Sequence, residues 1–224
     1  MFTVPEHIVS TPSHERAREV LRAGDTVLDV GCGGGIAAFA LTPPATSVIG
    51  VDHQPEMLRM FEEGAKQRHV AVQTFEGFWP AVAKDVPRAH VVTAHHVVYN
   101  VSDIEPFIRA LDEHARTRVV LELPDRHPLS DMSDAWRHFW KLERPSNPTS
   151  QDLYEVLSEM GINAHLEHWS GELRREVDPA LAAHFLRIRL CLPSSREGEV
   201  REYLDAQPPQ VSRPLSTVWW DSAS

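Results

Sequence analysis

Residues 27–35 read VLDVGCGGG, an apolar run followed by four glycines in five positions. Glycine loses more backbone entropy on folding than other residues, so a cluster indicates positive φ angles or a group that approaches the backbone closely. The stretch therefore predicts a buried strand that ends in a glycine-rich turn. Either the turn is simply tight, or a ligand lies against it.

Length and composition limit the class of protein. The chain has 224 residues, of which 42% are hydrophobic and 24% charged, which suits one globular domain over residues 1–224. Its formal net charge of −10 argues against nucleic acid or an anionic membrane as partner. No apolar run approaches the roughly 18 residues of a membrane helix. The absence of a secretory signal layout and the two cysteines lead us to expect a cytoplasmic protein. Either a monomer or a homodimer is compatible with the sequence.

Short β-branched runs alternate with amphipathic stretches along the chain. This alternation predicts an α/β fold with a doubly wound, mostly parallel sheet and helices on both faces. The predicted strands are residues 26–30, 47–51, 70–75, 90–94, 118–123 and 162–169, with a closing strand at 215–220. The predicted helices are residues 13–23, 36–41, 56–67, 79–83 and 104–115.

Two later regions interrupt the alternation. Residues 124–149 contain four prolines and a helical pattern with Trp136 and Trp140, which predicts a helical lid inserted after the fifth strand. Residues 178–206 predict a late pair of helices before the last strand, so the two regions together would form a helical cap. The tryptophans are candidates to bind a flat or apolar substrate. The alternative is a helix that packs its apolar stripe on the core.

The 13 histidines raise the question of a metal site. They are scattered, and none falls in an H-E-x-x-H pattern or beside paired cysteines. We therefore expect no metal.

The glycine turn fits a dinucleotide fingerprint poorly. In the pattern G-x-G-x-x-G, counting from Gly31 places the third glycine at Ile36, and counting from Gly33 places it at Ala38. The spacing Asp29-x-Gly31-x-Gly33-x-Gly35 instead resembles the first motif of class I S-adenosylmethionine-dependent methyltransferases.

The resemblance continues at the next two strands. The second strand ends in Asp52, followed by Met57 and Leu58, which is similar to the acid and Met-Leu pair of the family. The third ends in Phe75-Glu76-Gly77-Phe78, where the family contacts adenine. The resemblance implies that an acid at the first strand attracts the ammonium of the cofactor, while the acid at the second accepts the ribose hydroxyls. The implied cofactor-binding residues are Asp29, Gly31, Cys32, Gly33, Gly35, Asp52, His53, Met57, Glu76, Gly77, Phe78 and His95.

The fourth strand, AHVVTAHHVVYNVSD, resembles the segment that the family places beside the methyl donor. It makes His95, His96 and Tyr99 candidates for catalysis, and Tyr99 also for substrate binding. Structural alternatives remain: Asp52 as a helix cap, Glu76 as a solvated loop acid, and His95 as a satisfied polar group. The chain lacks the N-P-P-Y quartet, which would have made it similar to enzymes that methylate amide or nucleobase nitrogens.

Taken as a whole, the resemblance implies a Rossmann-like seven-stranded sheet, S-adenosylmethionine as cofactor, and in-line methyl transfer to a small-molecule acceptor. Positioning and exclusion of water suffice for such a transfer, so a general base is optional. A nicotinamide-dependent oxidoreductase, a methyltransferase acting on RNA or protein, and a silent ligand-binding domain remain open alternatives.

Overall fold

A single seven-stranded sheet runs through the protein, whose computed structural model describes Pro5 and residues 7–172, 178–208 and 212–222. The strands are β1 Thr26–Val30, β2 Ser47–Asp52, β3 Ala71–Glu76, β4 Ala89–His95, β5 Ala115–Pro124, β6 His165–Glu172 and β7 Ser212–Asp221. The helices are α1 Pro12–Arg18, α2 Ile36–Phe39, α3 Pro55–Gln67, α4 Ile104–His114, α5 Ser133–Trp140, α6 Ser150–Glu159, α7 Pro179–Arg189 and α8 Glu197–Asp205.

The strand order is β3-β2-β1-β4-β5-β7-β6. The pairs within the first five strands of this order are parallel, whereas β7 runs antiparallel to both β5 and β6. The order reverses between β1 and β4. At such a switch point the connections leave toward opposite faces, so a crevice opens at the carboxyl ends of the strands. The predicted doubly wound, mostly parallel sheet is confirmed.

Helices cover both faces of the sheet because successive strand residues point to opposite sides. Val27 belongs to a core cluster with residues of α1, α2 and α3, while its neighbour Leu28 belongs to a second cluster with residues of α4 and α6. The side chains of Val27 and Leu28 are both fully buried. Strands buried on both faces read as continuous apolar runs, which is why VLDV marks β1.

Two predicted helices differ from the structure. Residues 79–82 form turns, followed by a 3₁₀ turn over Ala83–Asp85, so the helix predicted at 79–83 is wrong. Pro80 explains this, because the residue before a proline is disfavoured in the helical region. The first helix ends at Arg18 rather than near residue 23, and the chain turns again at Gly24, with φ +94°, before it enters β1.

A third apolar cluster lies away from the sheet. It joins α5 to α7 and α8 through the buried residues Ala135, Ala183, Leu190, Leu192 and Val200. We call these three helices, with the 3₁₀ turn Pro128–Met132, the cap. The cap is thus assembled from two chain segments that are far apart in the sequence.

Candidate active site

The glycine turn, residues 31–35, has a backbone conformation that residues with a Cβ adopt only with strain. Gly31, Gly33 and Gly35 have φ of +71°, +50° and +93°. A Cβ on Gly31 would lie 2.5 Å from Val97 Cγ2, and one on Gly35 would lie 2.3 Å from Phe39 Cε2. A Cβ on Gly33 would meet no atom within 4 Å. Two of the glycines are therefore required by packing, while Gly33 presents bare backbone to open space.

Hydrogen bonds to β2 hold the turn in place. The Gly31 N–H donates to the Val51 carbonyl at 2.8 Å. Asp52 accepts the Gly33 N–H on Oδ2 at 3.0 Å and the Gln54 N–H on Oδ1 at 2.9 Å. The helix-cap alternative is not what the structure shows, because the N-cap of α3 is Gln54 and no side chain caps it. Asp52, only 8% exposed, joins the turn to the start of α3.

Asp29 is a buried carboxylate beneath the turn. Its Oδ2 accepts the Ala38 N–H at 3.3 Å, and its Oδ1 accepts the Thr93 hydroxyl at 3.1 Å. Burial raises the pKa of Asp29 to about 7, and the nearby charge of Asp52 adds to the effect. Asp29 also lines a large cleft at this edge of the sheet. A cation bound there would stabilise the ionised form and lower this pKa again.

Residues expected at the ribose and adenine lie on the next two strand ends. The rings of His53 and Phe78 are stacked, with centroids 4.6 Å apart and planes inclined by 19°, and both side chains are exposed. Glu76 is exposed, and Gly77 has φ +155°. Met57 is half-buried and lines the cleft. The structure thus places an exposed aromatic pair where the resemblance implies adenine.

Cys32 faces the interior of the protein. It is 6% exposed, and burial raises the pKa of its thiol. A Cβ built on Gly50 would lie 3.0 Å from its sulfur. The Cys32 thiol therefore packs mainly in the interior, although Cys32 also lines the same large cleft as the glycine turn.

A group of polar side chains lies at the carboxyl ends of β4 and β5. We call Thr11, His14, His95, His96 and Glu122 the histidine–glutamate cluster. His95 Nδ1 lies 3.9 Å from Glu122 Oε2, and His96 Nε2 lies 3.2 Å from Oε1. The Thr11 hydroxyl donates to Oε2 at 2.8 Å. The His14 and His95 rings are stacked, with centroids 5.4 Å apart.

Burial determines the protonation of this cluster. It lowers the pKa of His14 to about 3, an effect to which His95 adds, and it also lowers the pKa of His95. Burial alone would raise the pKa of Glu122, but at low pH the positive charges of His95 and His96, with the hydrogen bond from His96, outweigh it and hold the pKa below its ordinary range. At neutral pH the cluster therefore contains a carboxylate beside two neutral buried imidazoles.

Tyr99 lies between this cluster and the cap. Burial raises the pKa of Tyr99 and that of Asp131, and the positive charge of Arg213 partly offsets both effects. Arg213 Nη2 lies 3.4 Å from His96 Nε2. The Tyr99 ring meets the ring of His127 edge-on, with centroids 5.6 Å apart. A cation, a carboxyl group and a phenol thus meet at the end of the cluster.

One cleft of about 2870 Å³ connects the glycine turn with the histidine–glutamate cluster and the cap, whereas Asp52, His53, Glu76, Gly77 and Phe78 are not part of its lining. Its lining includes the glycine turn and Met57 at one end, the histidine–glutamate cluster in the middle, and cap residues such as Ala135, Leu186 and Tyr203. Pockets for a single small ligand commonly have volumes of about 300–1,000 Å³. The cleft therefore has room for two ligands side by side.

The two tryptophans expected to bind substrate lie elsewhere. Trp140 Nε1 donates to the Leu190 carbonyl at 2.8 Å, and the ring stacks on Trp136 with centroids 6.5 Å apart. Trp136 lines a separate hollow of about 480 Å³ rather than the cleft. The structure does not bring these residues together with His95 and Tyr99. The apolar side of α5 packs on α7 and α8, and both tryptophans contact these helices rather than His95 and Tyr99.

Sequence reasoning missed several residues of the cleft. They are Thr11, His14, Glu122, Asp131 and Arg213. Glu122 had a readable signal, since it is a single acid inside the apolar run VVLELP of β5. The others had none, because only the folded sheet brings α1, the cap and β7 to the ends of β4 and β5.

Two further observations concern metals and membranes. Within residues 7–172, 178–208 and 212–222, no three or more His, Cys, Asp or Glu side chains are arranged to hold a metal ion. No helix in this described part of the chain is both long and apolar enough to cross a membrane.

Comparison with known proteins places the chain in a family. The sequence profile of the methyltransferase domain family matches residues 8–167. Over 90 residues the chain is 36% identical to a ribosomal protein L11 methyltransferase of Vibrio campbellii and 32% identical to a ubiquinone biosynthesis O-methyltransferase of Azorhizobium caulinodans. Each match covers 40% of this chain, and 30% and 36% of the respective relatives. The chain thus matches only about a third of the length of these curated relatives.

A solved structure shows the same fold over a longer stretch. It is the magnesium protoporphyrin IX methyltransferase of Synechocystis, determined with bound S-adenosylhomocysteine. The TM-score is 0.56 at 15% identity, over 92% of this chain and 79% of the other. At this identity the likeness establishes the fold alone.

Proposed function

Because the chain belongs to the methyltransferase domain family, we propose that it transfers a methyl group from S-adenosylmethionine to a small-molecule acceptor within the cleft. The observation that carries this proposal is the continuity of the cleft. It connects the glycine turn, where the family binds its cofactor, with a buried polar cluster that the cap covers. The nicotinamide alternative loses its support, since the family is that of methyltransferases and the glycine spacing does not fit.

The residues at the turn suit the proposed cofactor. Gly33 presents backbone to open space, so a ligand can approach it without meeting a side chain. Asp29 is a buried carboxylate whose raised pKa reflects lost hydration, and an ammonium group would supply the missing positive charge. Asp52, His53, Met57 and the loop Glu76–Gly77–Phe78 are proposed to hold the adenosine. These residues therefore fit both the amino-acid end and the adenosine end of S-adenosylmethionine.

The cap supports a small-molecule acceptor. Ala135, Leu186 and Tyr203 line the cleft from three different helices, so the acceptor end includes apolar and aromatic surface beside the charged side chains of Asp134, Arg189, Arg201 and Asp205. The net charge of −10 gives no general attraction for RNA. A macromolecule would have to enter between the cap and the sheet.

When bound, S-adenosylmethionine would supply an electrophilic methyl group, with its sulfur as the leaving group that would keep the electron pair of the carbon–sulfur bond. The protein has to align the acceptor with this group and exclude water. We propose that the cap and the sheet edge exclude water once the ligands are bound, and that His95, His96 and Tyr99 face the acceptor.

Thermal unfolding with added ligands tests the proposal. A ligand that binds only the folded state raises the melting temperature in proportion to the logarithm of its concentration. S-adenosylhomocysteine at about 1 mM should raise it by several degrees, and NAD at the same concentration should not. A shift with NAD alone would reverse the cofactor assignment.

Asp52→Ala sharpens this test. Loss of a charge-assisted bond to the ligand should weaken S-adenosylhomocysteine binding by about 1–3 kcal/mol. The fold should persist, although the Gly33 and Gln54 amides lose their acceptor. Calorimetry showing unchanged affinity in a folded variant would remove Asp52 from the site.

A further inference from the structure

His14, on α1, has a tautomer fixed by its surroundings. Its Nδ1 accepts the backbone N–H of Thr11 at 3.1 Å. A backbone amide nitrogen always carries its proton, so Nδ1 of His14 must supply a lone pair and the ring proton lies on Nε2. The nearby Thr11 hydroxyl does not alter this, because it donates to Glu122.

The Nε2–H of His14 is a donor without an acceptor. His14 is 2% exposed, and its Nε2 is buried and has no hydrogen-bond partner among the described residues. Buried polar atoms in folded proteins are nearly always paired, so an exception at the wall of a cleft points to a ligand.

His95 supplies the complementary group. Its Nδ1 lies 3.9 Å from Glu122 Oε2, and the carboxylate favours a proton on that nitrogen. The Nε2 of His95 then carries a lone pair, and it too is buried without a partner in the described part of the chain. The side chain is 10% exposed, its ring stacks on that of His14, and both residues line the cleft.

We propose that His14 and His95 together recognise a hydroxyl group on the acceptor, which makes this protein an O-methyltransferase. This inference rests on the proposed function. A hydroxyl oxygen accepts the His14 Nε2–H while its own proton is donated to His95 Nε2. An ammonium group has only donors and would leave the His14 proton unmatched, whereas a carboxylate has only acceptors and would leave the His95 lone pair unmatched.

The same pair handles the proton of the reaction. As the hydroxyl oxygen bonds to the methyl carbon and the carbon–sulfur bond breaks toward sulfur, the hydroxyl proton passes to His95 Nε2. The resulting imidazolium faces the ionised Glu122, which stabilises its charge. His14 keeps its proton throughout and orients the oxygen.

Nitrogen-15 NMR of the histidine rings tests the tautomers without any acceptor. At pH 7.5 we expect neutral His14 with its proton on Nε2 and neutral His95 with its proton on Nδ1. A proton on Nδ1 of His14, or one on Nε2 of His95, would overturn the inference.

Binding of phenol and toluene tests the recognition itself. The two probes have similar shapes and differ in the hydroxyl. In protein saturated with S-adenosylhomocysteine, phenol should bind about tenfold more tightly, the scale of one or two net hydrogen bonds. Equal binding of the two probes would refute the proposal.

Three variants assign the effect to the Nε2 atom. His14→Asn keeps an acceptor near the Nδ1 position and removes the Nε2–H, so the phenol preference should fall about tenfold. His14→Gln retains an N–H near the Nε2 position and should keep it. His165→Asn is the matched control, since His165 stacks on Trp219 outside the cleft. A preference retained in His14→Asn would contradict the role of His14. Failure of S-adenosylhomocysteine to bind would instead count against the proposed function, while the tautomers still decide this inference.

Discussion

We predict that the buried carboxylate of Asp29 makes cofactor affinity depend on pH. In the free protein the pKa of Asp29 is about 7, so near neutrality it is a mixture of the charged and neutral forms. In the proposed site the ammonium of S-adenosylhomocysteine would favour the charged form. Lowering the pH therefore protonates Asp29 and weakens binding, and binding at pH 6 must release a proton.

The magnitude follows from the ionised fraction. With a pKa of about 7, roughly three quarters of Asp29 is ionised at pH 7.5 and about one tenth at pH 6. If only the ionised form accepts the ammonium, the Kd should rise about eightfold between pH 7.5 and pH 6.

Isothermal titration calorimetry at several pH values measures this change. Asp29→Asn is the matched variant, because an asparagine can still accept the Ala38 N–H and bond to Thr93. Its affinity should be low and independent of pH. Methylthioadenosine, which lacks the amino-acid part, should bind the wild type equally well at both pH values.

A flat pH profile in the wild type would refute the role of Asp29. An eightfold change that persists in Asp29→Asn would assign the titration to another group. A pH dependence that methylthioadenosine shares would place the titrating group near the adenosine.

The remaining predictions concern packing and stability. Gly35→Ala places a methyl group 2.3 Å from Phe39 Cε2, so it should lower the free energy of unfolding by about 2–4 kcal/mol. Gly24→Ala, with a similar φ of +94° and no atom within 4 Å, should lose only about 1–2 kcal/mol; equal losses in urea denaturation would show that the overlap is relieved. For His14, the pKa falls from about 6.5 in the unfolded chain to about 3 in the fold, so the unfolded state takes up more protons as the pH drops through this window. The wild type should therefore lose about 2 kcal/mol more stability than His14→Asn between pH 7.5 and pH 5, and parallel curves would contradict this. Trp140→Ala should cost about 2 kcal/mol of stability, since the ring is only partly buried, and leave phenol affinity unchanged; lost affinity at full stability would return Trp140 to the acceptor site.

The sequence predicted the sheet and the glycine turn because their signals are local. The apolar run of β1 and the glycine spacing depend on neighbouring residues, and the same holds for the Asp52 strand end. The wrong helix prediction at residues 79–83 also has a local cause, because Pro80 disfavours a helical conformation at the residue before it.

The polar cluster could not be read in the same way. Thr11 and Glu122 are hydrogen-bonded across 111 positions in the chain, so no spacing rule connects them. The prediction that Trp140 points toward the substrate differs from the structure for the same reason, because the helices that pack against α5 are α7 and α8. An aromatic stripe on a helix shows that something covers it, but the covering element is set by the tertiary fold.

A crystal structure with bound S-adenosylhomocysteine tests the central claim most directly. The account predicts the amino-acid end beside Asp29, the adenosine beside Met57 and the stacked pair of His53 and Phe78, and the sulfur facing His95 across the cleft. Ligand bound elsewhere, or a sulfur facing away from His95, would contradict it.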